Sequence, residues 1–257
     1  MKKMTRLFYC LIGLLFITAA SFAQTMDSAA VQPFNSGLDK MQKNDYTGAL
    51  TDFQKALAAS KDYRIYYQLG VAHEKLNNHE EAVNDFKNTI KAKPDFEAAY
   101  SDLGSVYFSL GKYQDAIDNF QEVLKTSKDS TLQANMEFNI TLAYTSMATG
   151  AEKTKSYKKA IEYLKKAISH NNYDAAYLYL AKDYFLTNQY DKAIEAAQNA
   201  IKYKKAISEG GPNYYIGVAY QKKNDAKKAK EYLEKAKDDA VYGKFADQVL
   251  KAMESSK

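Results

Sequence analysis

The chain of 257 residues carries 36 basic and 31 acidic residues, one cysteine and a formal net charge of +5. That length allows one or two ordinary domains. Lys2, Lys3 and Arg6 lie in a segment expected to be removed, leaving 33 basic against 31 acidic residues. So balanced a chain has no general electrostatic attraction for nucleic acid, and that class of partner is excluded.

In the first 23 residues a basic start precedes the uncharged apolar run 7–20, followed by Ser21-Phe22-Ala23. This order is that of a signal peptide, cleaved before Gln24. The run of 14 residues falls short of the roughly 20 that span a bilayer, so removal is expected over a retained anchor. Cys10 sits in the middle of the run, without the small residues that precede a lipidated cysteine, and leaves with the peptide. The mature chain then has no cysteine and folds without disulfides. The expected place is outside the cytoplasm, in a bacterial periplasm or cell envelope. Residues 24–33, QTMDSAAVQP, read as a short disordered lead.

From residue 34 onward apolar positions recur with a period of 3.6, in pairs of helices. In 103–124, LGSVYFSLGKYQDAIDNFQEVL, one stripe runs Leu103, Val106, Tyr107, Leu110. The other runs Ala116, Ile117, Phe120, Val123, Leu124, with the turn at 110–113. Gly104 lies inside the first helix, where glycine costs about 1 kcal/mol relative to alanine. The expected reason is close approach of the partner helix. Such pairs are expected at about 34–60, 63–94, 97–127, 131–171, 174–205 and 211–239. The small residue opening each second helix is Ala49, Ala82, Ala116, Ala160, Ala193 and Ala229, at spacings of 33, 34, 44, 33 and 36.

The long spacing reflects seven extra residues within MATGAEKTKSYKKA, since Tyr144 to Ala160 is 16 residues where Tyr107 to Ala116 is 9. Seven residues are close to two helical turns. One added turn on each helix would keep the hairpin in register; a loose loop and a projecting finger that contacts a partner are the other readings. Gly210-Gly211-Pro212 ends the fifth pair and opens the sixth, and no strand precedes it as a phosphate loop requires. The tail 241–254 carries Phe245, Val249, Leu250 and Met253 on one face. It reads as a helix that caps the end of a stack.

A period near 34 made of two helices resembles the tetratricopeptide repeat. The opening aromatic is Tyr66, Tyr100 and Tyr177, and the Leu-Gly pair is Leu69-Gly70 and Leu103-Gly104. The first-helix tyrosine is Tyr107, Tyr144, Tyr184 and Tyr220; the second-helix aromatic is Phe53, Phe86 and Phe120. Ala56, Ala167, Ala200 and Ala236 close the second helices. Lys40 and His73 replace the tyrosine in repeats one and two, Glu137 and Thr141 replace the opening aromatic and the glycine in repeat four, and the closing proline occurs only as Pro94. The resemblance covers nearly all of 30–241. It implies an all-α, right-handed superhelical solenoid of about six hairpins with a C-terminal capping helix, one elongated domain over 34–254.

Catalytic chemistry finds no foothold. His73, His79 and His170 lie apart, without the clustering that zinc requires. No serine sits in a nucleophile elbow and no glycine loop follows a strand. No catalytic, metal or cofactor residue is assigned, and the chain is read as non-enzymatic. Lys158-Lys159, Lys165-Lys166, Lys222-Lys223 and Lys227-Lys228 are interleaved with Glu162, Glu231 and Glu234, as on a solvated, ion-paired face. Weak contact with an anionic surface is the minor reading of these C-terminal lysines.

In the family's geometry the first helix of each hairpin lines the concave face. The resemblance places there Tyr67, Val71, Ser101, Ser105, Phe108, Phe138, Leu142, Leu178, Lys182, Phe185, Tyr214 and Val218, together with Phe34, Leu38, Met41, Glu74, Thr145 and Gln221. A surface so apolar is costly to leave wet and marks a partner site, suited to an extended or helical segment of another protein. The lysine and asparagine set with which some members grip a C-terminal carboxylate is missing from every three successive repeats; Lys182 alone stands in it. The function expected is a binding scaffold of the cell envelope. The alternative is a structural subunit of a surface or secretion assembly that uses the convex face.

Overall fold

The computed structural model describes residues 26–255, so the expected signal peptide lies outside the described residues. The described chain divides into two compact units, the first ending at Ala92 and the second beginning at Lys93. The first holds α1 (Ser28–Gln42), α2 (Tyr46–Ala59), α3 (Tyr63–Lys75) and α4 (His79–Ala92). The second holds α5 (Glu97–Ser109), α6 (Tyr113–Thr126), α7 (Ser130–Lys153), α8 (Tyr157–His170), α9 (Asp174–Leu186), α10 (Tyr190–Lys202), α11 (Gly210–Lys222), α12 (Ala226–Ala236) and α13 (Gly243–Ser255). No strand occurs among the described residues. Within each unit every helix packs on the next in sequence, and in the second unit α9 also meets α11 and α11 meets α13. This is the all-α hairpin solenoid that the period predicts.

Ala49, Ala82, Ala116, Ala160, Ala193 and Ala229 are all fully buried. Four residues on, Phe53, Phe86, Phe120, Leu164 and Leu233 are fully buried as well. The glycine of the first helix makes room for that large side chain. A Cβ added at Gly104 would lie 2.5 Å from the Phe120 ring, and at Gly217 2.7 Å from Leu233. Gly104→Ala gains about 1 kcal/mol of helix propensity but forces a buried ring aside, at about 1–3 kcal/mol. We expect a net loss of about 1 kcal/mol, read as a lower urea midpoint.

The turn inside each hairpin places one residue in the left-handed region, always five before the buried alanine: Asn44, Asn77, Gly111, Lys155, Asn188 and Asn224. Asparagine and glycine tolerate that conformation; lysine is the exception. The two repeats lacking the first-helix tyrosine carry paired replacements. The Lys40 ammonium lies 2.7 Å from the Asp52 carboxylate, and His73 Nδ1 lies 2.7 Å from Asp85. In repeat six the same two positions hold Tyr220 and Tyr232, stacked at 6.0 Å. The slot tolerates any pair able to satisfy itself.

Three expectations are corrected. Residues 28–33 are not a disordered lead but the start of α1. Asp27 Oδ1 accepts the Ala29 N–H at 2.9 Å, and Met26, Ala30 and Phe34 are buried along one stripe. In repeat four the added turns are not shared between helices. The seven residues follow Tyr144 on α7, which runs 9 residues beyond Tyr144 to Lys153 where α5 runs 2 beyond Tyr107 to Ser109, while α8 keeps 14 residues, the same as α6. The hairpin consequently slides. The Thr141 hydroxyl reaches the Ala167 carbonyl at 3.2 Å, three residues beyond the position that faces glycine in the other hairpins. On the capping helix, Phe245 is 50% exposed, and the buried residues are Gly243, Ala246 and Leu250.

Candidate functional site

Two first helices of the lower-numbered unit supply candidate residues. Phe34 is buried, 5.8 Å from Phe53, and belongs to the core with Leu38 and Met41 packed beside it. Tyr67 is half-buried with its ring 5.8 Å from Phe86, and Val71 is half-buried. The Glu74 carboxyl on the next turn is pushed up by burial.

The second unit carries the other twelve positions. On α5, the Ser105 hydroxyl donates to the Ser101 carbonyl at 3.0 Å, and Ser109 repeats the pattern onto Ser105. These hydroxyls are turned back onto their own helix, which leaves a smooth, weakly polar surface. Phe108 is half-buried and meets Tyr113 edge-on at 5.3 Å. On α7, Phe138 is half-buried against Tyr173, perpendicular at 5.7 Å, and Leu142 is half-buried one turn later. Thr145 is buried, its hydroxyl on the Thr141 carbonyl.

Toward the C-terminus the same face is filled by the chain itself. Leu178 is half-buried close under Gly211, where a Cβ would meet it at 3.1 Å. Lys182 is ion-paired with Glu152, its ammonium 5.1 Å from the Tyr179 ring. Phe185 packs between Tyr190 and Tyr215, at 5.8 and 6.2 Å. Tyr214 contacts Tyr215, Tyr242 and Phe245. Val218 is 3% exposed, within a cluster of Leu233, Ala236, Ala246 and Leu250. It is a core residue and lines no groove: α13 docks on α11 and α12 and covers it.

Spacing alone missed Tyr215 and Tyr242, whose phenols are both raised by burial, and the carboxyls of Glu152 and Asp183. Gly210 and Gly211 also exceed punctuation. They open α11, and a Cβ on either would collide with Asp239 or Tyr242.

The lysines are held more by tyrosines than by the interleaved glutamates. Lys159 sits over Tyr163, Lys166 over Tyr144, Lys192 over Tyr184 and Lys228 over Tyr220, at 4.8–5.7 Å from the ring centres. Each such contact is worth about 0.5–1 kcal/mol at an exposed site. An open hollow of about 470 Å³ lies at the turns of repeats four and five, lined by Lys155, Ser156, Tyr157, Lys158, Lys159 and Thr187. Among the described residues, no group of three or more His, Cys, Asp or Glu is placed to hold a metal ion.

Two family models, both described as tetratricopeptide repeat, match the chain: one over residues 34–86 and 67–131, the other over 143–172 and 213–238. Together they span more than half of it. Among solved structures, the C-terminal part of a TPR repeat-containing protein from Cytophaga hutchinsonii superposes with a TM-score of 0.60 at 16% identity. That match covers 89% of this chain and 90% of the other. MamA protein matches at 26% identity and a TM-score of 0.47, over 68% of this chain and 89% of that one. YrrB, described as a TPR protein with an unusual peptide-binding site, matches at 21% identity and a TM-score of 0.48, over 76% and 97%. No curated protein matches the chain significantly.

Proposed function

Because the chain belongs to the tetratricopeptide-repeat family, whose members are protein–protein interaction scaffolds, we propose that it is an exported, non-enzymatic scaffold that captures a segment of another envelope protein on the first-helix faces of its hairpins. The observation that carries this is the half-burial of Phe108, Phe138 and Leu142 on α5 and α7. They stand on the same helices' faces as the self-bonded serines and Thr145, and α13, which packs on α11 and α12, does not cover them as it covers Val218. Aromatic anchors of this kind supply most of the affinity in a helical groove. Export rests on the basic, apolar and small-residue order of 1–23.

The test uses the mature protein recovered from the periplasm, its N-terminus at Gln24 read by mass spectrometry. Phe108→Ser with Phe138→Ser is expected to reduce capture of its envelope partner at least about tenfold, equivalent to one lost aromatic anchor, with unchanged helical circular dichroism. Undiminished capture overturns the groove. Crosslinks confined to second helices would instead support a structural subunit docking by its convex face. The lysine-lined hollow supports a minor anionic contact, expected to vanish with added salt.

A further inference from the structure

The two added turns of α7 bring Glu152 onto α9 of the next hairpin. Glu152 Oε2 takes the Lys182 ammonium as an ion pair, while Oε1 is buried with no donor. Asp183, next to Lys182 on α9, is fully buried, and neither of its oxygens has a donor. The two carboxyls lie within hydrogen-bonding reach of one another. One ammonium therefore stands beside two acids and is bonded to Glu152 alone, and three carboxyl oxygens have nothing to accept from. Leaving both ionised would strand a charge in the interior. Two carboxyls sharing a site resolve this when one keeps its proton.

We propose that Glu152 and Asp183 form a proton-binding clamp, in which a single shared proton fastens the two-turn extension of α7 to α9 and its loss loosens that contact. Among the described residues, the cation that bears on Asp183 is Lys182. From α9 come Lys182, already paired with Glu152, and Tyr179, whose ring faces the Lys182 ammonium. From α11 comes Tyr215, whose raised phenol feels both carboxyls, with Tyr242 behind it. On α8, His170 is engaged with Glu137 and Tyr163 with Tyr144. On α10, Tyr190 lies on Phe185, and Glu195 bears on Tyr177 and Tyr184. The clamp does not depend on the groove, but it touches it: Lys182 is held by Glu152 and is not offered to a partner while the clamp is closed.

Burial first, then the Glu152 charge, push the Asp183 carboxyl up to about 7 against the pull of Lys182. An acid raised in this way keeps its proton in the fold after the unfolded chain has lost it. Its contribution to stability is greatest on the acid side, falls as pH rises from about 4, and levels off above about 7. The test compares urea midpoints of the full chain and its Asp183→Asn variant between pH 5 and 8.5. Other acids and histidines titrate in both proteins, so the readout is the difference between the two curves. The unmodified chain should lose midpoint relative to D183N as pH rises to about 7, then run parallel to it. Glu152→Gln, which removes the neighbouring charge but leaves Asp183 buried beside Lys182, should reduce this pH dependence without abolishing it. Curves parallel throughout would overturn the clamp. Should D183N not fold, carboxyl 13C shifts of the unmodified chain decide. A resonance assigned to Asp183 that titrates near neutrality supports the clamp, and one fully ionised by pH 5 overturns it.

Discussion

Replacing Asp174 with alanine is expected to cost about 3–4 kcal/mol, because its carboxylate organises a whole interhelical loop. Asp174 opens α9 and is 1% exposed. Its Oδ2 accepts the backbone N–H groups of Lys205, Ala206 and Ile207 at 2.7, 2.6 and 3.1 Å, and its Oδ1 accepts that of Ala175 at 2.9 Å. The three distant donors belong to the segment between α10 and α11, which has no helical partner to offer them. A charged acceptor gives about 1.5–3 kcal/mol per bond, but bonds sharing one oxygen do not add in full. The pH dependence separates this role from simple packing. Burial, the largest single influence, raises the carboxyl, yet the four N–H donors together hold it below the usual carboxylate range. The stabilisation is therefore complete above the ordinary value near 4 and is lost as pH falls through the lower folded value. Urea midpoints of D174A and the unmodified protein should differ most at pH 7, and the gap should narrow below pH 4. A gap independent of pH would show that the carboxylate is only filling space. Amide exchange at 205–207 should accelerate in D174A at pH 7.

The core of every hairpin was legible because it rests on local period. Ala116, Phe120 and Gly104 sit at fixed offsets, and the contact between them follows from helix geometry alone. Lys40 and His73 looked like breaks in the pattern while each was weighed alone. Asp52 and Asp85, twelve residues later in both cases, make them paired replacements. In repeat four the size of the insertion gave two turns, but not their placement. The other turns are marked by asparagine or glycine at the left-handed position, whereas Lys155 carries no such mark. The start of α1 was hidden by the polar residues of QTMDSAAVQP, although Met26, Ala30 and Phe34 fall four apart. The candidate site was the least legible part. Spacing tells which face of a helix a residue occupies, not what lies over it. Val218 and Leu142 hold equivalent positions, and only the docking of α13, a contact far along the chain, separates them. The Glu152–Asp183 pair escaped for the same reason: it forms only once the extra turns of α7 reach the following hairpin.

Phe120 should be the most sensitive aromatic in its repeat, and a comparison with repeat six makes that expectation quantitative. The ring is fully buried and lies directly over Gly104. Phe120→Ala removes it from a site where glycine cannot fill the void, at about 3–5 kcal/mol. In repeat six the same geometry holds Leu233 over Gly217, also fully buried. A leucine is thus compatible with the backbone of this hairpin, and Phe120→Leu should cost only about 1–1.5 kcal/mol. Leucine does not relieve the crowding at position 104, because a Cβ at Gly217 would still lie 2.7 Å from Leu233. Combined with Phe120→Ala, which takes the ring away, Gly104→Ala should change from destabilising to neutral or better, because the alanine keeps its helix propensity and loses its clash. The double-mutant cycle should therefore show a favourable coupling of about 1 kcal/mol between two residues 16 apart in sequence. Stability in a helical stack is close to a sum of repeat and nearest-neighbour terms, so the coupling should appear in urea unfolding followed by circular dichroism and in amide exchange over α5 and α6. Additive effects would mean that Gly104 is present for some reason other than the ring above it.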